Sequence, residues 1–225
     1  MNTNDSVVIR HDWTVAEIEA VYTLPLPELI FRAQAAHRAC HQPDEIQGCQ
    51  LLSIGALVPR KGHDVLLRAL GRLPDLDWRL IIVGRDDRDP AYAAMLHALA
   101  AELGIAARVR FAGEVSGEAL EALWQASDIF ALATWYEGYG MAAAEALARG
   151  IPLALTAGGA IADLAQPGWS VVSKPGEHAL LSKALRRMIF DGEQRARMKD
   201  AAWQAGRNLP EWPAQAEKFA AALAA

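Results

Sequence analysis

From about Cys49 onward, short apolar runs alternate six times with segments of helical period, and this alternation limits the chain to very few architectures. LLSIGALV (51–58) precedes HDVLLRALGRL (63–73), RLIIVG (79–84) precedes AYAAMLHALAAELG (91–104), and RVRFAG (108–113) precedes EALEALWQAS (118–127). DIFALAT (128–134) precedes a helix near 141–149, PLALT (152–156) a short helix near 160–165, and WSVVS (169–173) the segment EHALLSKALRRMIF (177–190). Successive strand–helix units require crossovers, which place the strands parallel and the helices on both faces of the sheet. The apolar runs are continuous rather than alternating, as befits strands buried on both sides. The predicted fold is therefore α/β, a Rossmann-like parallel sheet, closed by helices over 193–206 and 213–224 with Pro210 and Pro213 between them. Ligands of such sheets bind beyond the carboxyl ends of the strands.

Residues 1–48 follow a different pattern. After a polar MNTNDS, the stretches TVAEIEAVYT and PELIFRAQAAHRACH read as two amphipathic helices separated by Leu24-Pro25-Leu26-Pro27. The polar stretch HQPDEIQG (41–48) marks the expected boundary between a helical extension, 1–48, and the α/β domain, 49–225. The chain has no fixed-period repeat and no low-complexity tract.

A formal charge of -5 gives no broad electrostatic case for nucleic acid, so an anionic ligand needs a local cation. No apolar run reaches the roughly 18 residues of a membrane span, and a cytoplasmic protein is the expectation. Two cysteines, Cys40 and Cys49, make neither a disulfide framework nor a metal cluster.

EGYGMAAAEALARG (137–150) crosses from the fourth strand into a helix. Free N–H groups and the positive dipole end of a helix start favour phosphate, and glycine lets backbone approach it. Glu145 falls about one turn into that helix, where a carboxylate can take two hydrogen bonds from a vicinal diol such as ribose. Glu137, ahead of the glycines, would reach the group on the other side of the phosphates. Without a cation nearby, the two glutamates are better explained as solvated surface residues. The needed cations come from PRKGHD (59–64), on the same sheet edge: Arg60 and Lys61 can neutralise a diphosphate, and Gly62 eases entry to a helix that His63 or Asp64 could cap. Asp86, Asp87 and Asp89 are interleaved with Arg85 and Arg88 and read as an acidic helix start rather than a metal site. His97 and His178 read as packing or helix-start residues, and Trp78, Trp124, Trp135 and Trp169 as packing residues.

GALVPRKGHDVLLRAL, RLIIVG, RVRFAGEV, SDIFALATWYEGYGMAAAEALARGIPLALTAGG and WSVVSKPG resemble, in that order, the C-terminal half of family-4 (group 1) glycosyltransferases, over residues 50–224. The resemblance implies one half of a GT-B fold that binds a nucleotide-diphosphate sugar and transfers it with retention of configuration, without a metal or other cofactor. It assigns Glu137 to the donor sugar and Glu145 to the ribose. Gly138, Tyr139, Gly140 and Met141, with Lys61 and Arg60, fall to the diphosphate, Phe111 to Val115 to the nucleobase side, and Gly55, Gly158 and Gly159 to the donor's surroundings. The family often has Arg after its first glycine, where this chain has Ala56; Arg60 is the candidate replacement. Residues 11–54 resemble the N-terminal helical segment of biotin synthase, and LLSI (51–54) suits both families as a junction. Biotin synthase holds an iron–sulfur cluster on a cysteine triad that Cys40 and Cys49 cannot reproduce, so its radical chemistry is not expected. A complete GT-B enzyme has an acceptor domain ahead of the donor domain, so a glycan or lipid acceptor would be bound outside these residues. The alternative expectation is a non-catalytic nucleotide-sugar-binding module or a fused product.

Overall fold

The protein is described from a computed structural model, which places residues 14–25, 28, 29, 32, 48–209, 216 and 220–222. The chain forms two compact units, Met1–Gln47 and Gly48–Ala225.

In the first unit, helix α1 (Val15–Tyr22) starts at a capping box. Glu17 N–H donates to Thr14 Oγ1, while Thr14 N–H donates to Glu17 Oε2 at 2.8 Å, satisfying two otherwise orphaned donors. Residues 28, 29 and 32 are also helical; the rest of the second predicted helix, Cys40 included, and most of the 41–48 boundary stretch lie outside the described residues.

The second unit is a six-stranded sheet in the order β3-β2-β1-β4-β5-β6, every pair parallel. Its strands are β1 (Cys49–Ile54), β2 (Trp78–Val83), β3 (Val109–Gly113), β4 (Ile129–Leu132), β5 (Leu153–Thr156) and β6 (Ser170–Ser173). Its helices are α2 (His63–Leu70), α3 (Pro90–Glu102), α4 (Gly117–Gln125), α5 (Met141–Ala148), α6 (His178–Phe190) and α7 (Gly192–Gly206). Side chains alternate across the sheet, so each strand feeds two cores. Leu51, Leu80, Ile129 and Ala131 face α2, α3 and α6. Leu52, Phe130, Leu132, Leu153 and Leu155 face Trp124 of α4, the alanines of α5 and Ala202 of α7. Both faces are covered, which explains why the central strands carry no polar alternation.

Most expected elements appear within a few residues of their predicted ends. The largest shift is at β1, which stops at Ile54 although its apolar run continues to Val58. Leu57 N–H turns aside to the Arg85 carbonyl (2.9 Å), and the chain passes so close to Gly84 that a Cβ there would lie 2.0 Å from the Gly55 carbonyl oxygen. The 160–165 segment is a 3₁₀ turn, Ala160–Leu164, and α2 ends at Leu70, short of the predicted 73, with Gly71 as its C-cap. Of the closing helix predicted over 213–224, residues 216 and 220–222 are helical, and Pro210 and Pro213 lie outside the described residues. Among the described residues no helix is long and apolar enough to cross a membrane.

Candidate functional site

β1 and β4 are central neighbours, but the connection from β1 leads to β2 on one side and that from β4 leads to β5 on the other. Their outgoing connections head to opposite sides of the sheet, which makes this carboxyl edge the topological switch point, the crevice where such sheets take ligands. Arm one, residues 55–62, leaves β1; arm two, residues 133–140, leaves β4.

Arm one runs through a 3₁₀ turn, Pro59–Lys61, into Gly62, whose φ of 63° few other residues tolerate. A Cβ on Gly62 would lie 1.9 Å from the Ala133 carbonyl oxygen, so the first arm lies directly on the second. Crossed hydrogen bonds join them. The Arg60 carbonyl accepts from Trp135 N–H (2.9 Å), and the Arg60 guanidinium donates to the Tyr136 carbonyl (2.7 Å). Arm two is in turn fastened to the loop after β5. Glu137 N–H donates to the Gly158 carbonyl (2.7 Å), and Glu137 forms an isolated parallel bridge with Gly159.

These constraints bring three charged side chains together. Lys61 Nζ lies 2.5 Å from Glu137 Oε2, and Arg60 Nη1 lies 3.8 Å from the same oxygen. The Lys61 and Glu137 side chains are only 15% and 16% exposed, whereas Arg60 is 51% exposed. Gly55 serves as the floor for the lysine stem, since a Cβ there would lie 3.0 Å from Lys61 Cδ. Beside the pair, α5 begins at Met141 with Gly140 (φ 89°) as its N-cap, and no side chain caps the first amides of the helix. Gly138 is exposed, with nothing within 4 Å of where a Cβ would stand, and Tyr139 and Met141 are exposed. Glu145 is exposed in the second turn of α5; Arg149 donates to its backbone carbonyl (3.0 Å) and is paired with Glu121.

The other sequence-predicted positions fall differently. Phe111, in β3, is two strands away from β1, on the order of 10 Å along the sheet, and its ring lies tilted against that of His97, 4.1 Å between centroids. Val115 follows β3 and packs with the opposite core. Neither belongs to the charged cluster. Gly158 and Gly159 have structural reasons to be glycine: a Cβ on either would meet a backbone carbonyl oxygen of arm two at 2.6 Å. Asp89 caps α3 by accepting from Tyr92 N–H (3.0 Å), and Asp87 pairs with Arg85, which accounts for two of the three aspartates without a metal. Trp78 and Trp124 are buried and Trp169 is half-buried, but Trp135 does not pack as expected. It is 51% exposed and rests on Gly176 by its ring edge.

His63 also departs from expectation. It does not cap α2, which starts at Gly62 without a side-chain cap, and Asp64 instead accepts a hydrogen bond from Tyr92 Oη (2.6 Å). His63 is fully buried beneath arm one, with Nε2 3.2 Å from the Gly55 carbonyl. A carbonyl only accepts, so Nε2 carries the proton in this contact. Burial lowers its pKa from 6.5 to about 4, keeping the ring neutral at ordinary pH. Thr134 is a residue that sequence reading passed over: its hydroxyl lies 3.0 Å from both the Arg60 and Tyr136 carbonyls. A buried hydroxyl one residue past an apolar run gives no distinctive sequence signal.

Comparison with known proteins bears on the family and the fold. The family profile "Glycosyl transferases group 1" matches residues 47–205. The chain is 32% identical over 171 residues to D-inositol 3-phosphate glycosyltransferase of Corynebacterium efficiens, covering 74% of this chain and 40% of that protein. It thus spans well under half the length of such relatives. The crystal structure of Anabaena Alr3699/HepE in complex with UDP and glucose superposes with a TM-score of 0.72 at 22% identity, covering 91% of this chain and 54% of that one. The C-terminal domain of the group 1 glycosyl transferase LpcC from Francisella tularensis superposes with a TM-score of 0.63 at 20% identity, over 73% of this chain and 87% of that domain. A separate match, 63% identical over 46 residues, is to biotin synthase of Methylobacterium nodulans, covering 20% of this chain and 14% of that protein. The parallel sheet and the family match over most of its length together place the chain in the group 1 glycosyl transferases.

Proposed function

We propose that this chain is the donor-binding half of a retaining, metal-independent glycosyltransferase that uses a nucleotide-diphosphate sugar. The observation that carries the reading is the Lys61–Glu137 pair in the crevice between β1 and β4, beside the open start of α5. Lys61 has three donors, so a diphosphate can engage its ammonium while Glu137 turns toward a sugar hydroxyl. Arg60, Lys61 and the amides of 138–141 would hold the phosphates, and Glu145 would accept from the ribose diol. In transfer, the bond from the anomeric carbon to the diphosphate oxygen breaks as a bond to an acceptor oxygen forms on the same face. The acceptor proton leaves with the phosphate. Negative charge grows on the departing diphosphate, where Arg60 and Lys61 can stabilise it without a divalent cation, and no further cofactor is required. A glycan or lipid acceptor would be bound by residues outside this domain. A cytoplasmic setting goes with a nucleotide-sugar substrate.

Calorimetry with uridine, guanosine and adenosine diphosphates tests the reading. One of the three should bind, and Lys61→Ala should weaken it strongly; no binding by the parent would refute the donor site. A second reading, a nucleotide-sugar-binding module with no transfer activity of its own, is favoured by the biotin-synthase match in the N-terminal residues. It expects diphosphate binding but no glycosylated product from the purified chain across a panel of donors and acceptors.

A further inference from the structure

The two arms of the crevice are joined through one buried hydroxyl. Thr134 is fully buried at the end of β4, and its Oγ1 lies 3.0 Å from the carbonyl oxygen of Arg60 on arm one and 3.0 Å from that of Tyr136 on arm two. These carbonyls belong to the residues immediately before Lys61 and Glu137. A hydroxyl has one hydrogen, which two acceptors so placed must share. Thr156 of β5, also fully buried, donates from Oγ1 to the Thr134 carbonyl (2.5 Å), a bond between β5 and arm two that does not reach arm one.

We infer that Thr134 is a positioning residue for the donor site: its hydroxyl sets the separation of the two arms and thereby the meeting of Lys61 with Glu137. The inference rests on the donor-site reading above for its consequence, but the arm geometry can be measured without any ligand. Both carbonyls keep a second donor when the hydroxyl is removed: Trp135 N–H for Arg60, and the Arg60 guanidinium for Tyr136. No buried carbonyl is orphaned, so the isosteric variant Thr134→Val should fold. What it loses is the group that holds both carbonyls at one point.

The test uses the full chain and four variants: Thr134→Val, Thr134→Ser, Thr134→Cys and Thr156→Val. In Thr134→Val, the Trp135 amide should exchange with solvent roughly three- to tenfold faster, and the nucleoside diphosphate bound by the parent should bind weaker by a similar factor, the range of one net hydrogen bond. Thr134→Ser, which keeps the hydroxyl, should restore both. Thr156→Val removes a buried hydroxyl bond that does not span the arms, and should lower the melting temperature while leaving affinity within about twofold of the parent. Should the valine variant not fold, Thr134→Cys, whose thiol is a weak donor, should shift exchange in the same direction. Unchanged Trp135 exchange in the valine or cysteine variant, or a serine variant as loose as valine, would overturn the inference. A parent that binds none of the uridine, guanosine and adenosine diphosphates would instead refute the donor reading, with amide exchange still deciding the role of Thr134.

Discussion

Both ends of the central strands carry a carboxylate with cations, and the two ends do different work. At the amino edge, Asp128 accepts from Gln50 N–H (3.0 Å) and Lys199 Nζ (2.7 Å), with Arg195 Nε at 4.0 Å. Its partners tie the start of β1 and helix α7 to the residue before β4, and they use the carboxylate for that purpose. At the carboxyl edge, Glu137 is met by Lys61 and Arg60, in a crevice lined by glycines and next to the uncapped start of α5. A charge pair by itself therefore marks no site. What separates the two is the surroundings: saturated backbone on one side, donors and open space left over on the other.

The contrast can be attacked from several sides. Gly62→Ala should have the largest effect, about 3–5 kcal/mol of stability, because left-handed strain adds to a collision with a backbone oxygen that cannot rotate away. Gly104→Ala, near the amino edge, has a similar φ of 70° but open space around it, and should cost only about 1–2 kcal/mol by chemical denaturation. Comparable losses at both positions would mean that the arms do not press together.

Acid should next distinguish the edges. His63 titrates at about 4 in the fold against 6.5 when free, so the unfolded chain takes up the proton first as pH falls. The stability it protects is complete above pH 6.5 and is lost as pH drops from 6.5 through 4, by up to about 3 kcal/mol. His63→Gln, which can still donate to the Gly55 carbonyl, should flatten unfolding free energy between pH 5 and 6.5. Cys49 at the opposite edge is pushed by burial up to about 12 and should contribute no slope in that window.

Lys61→Ala and Asp128→Ala should dissociate binding from stability. The first should weaken diphosphate binding by about 1.5–3 kcal/mol, the worth of a charged hydrogen bond, and lower Tm by only a few degrees, since Arg60 remains near Glu137. The second should cost about 1.5–3 kcal/mol of stability and leave affinity unchanged. Equal stability losses from both would erase the distinction drawn between the two ends. Arg60→Ala should be the mildest on binding, about 1 kcal/mol or less, because that side chain is half exposed and its charge is screened.

Much of the fold could be read from the chain because its signals are local. The apolar runs of β2, β4 and β5 need only neighbours within the run to declare themselves, and the Asp191 cap of α7 acts over three residues. The strand–helix alternation alone also puts 59–64 and 137–145 on one edge of the sheet. The contact itself was not legible. Lys61 and Glu137 are 76 positions apart, and the loops that join them depend on Gly62 meeting Ala133 and on the Thr134 hydroxyl. His63 looked like a helix-start residue because nothing in KGHD says that the ring turns inward under Gly55. Trp135 looked like core because tryptophan usually is; here arm two lifts it to the surface, with its ring edge over Gly176.

The backbone bridge between Glu137 and Gly159 bears on how any mutational scan of this protein should be interpreted. Gly159 adopts φ 82° and a Cβ there would crowd the Glu137 carbonyl at 2.6 Å, so its replacement shifts the backbone that carries an acidic side chain. A scan would register at Gly159 the loss of a backbone mount for a neighbour's carboxylate together with any contact of its own.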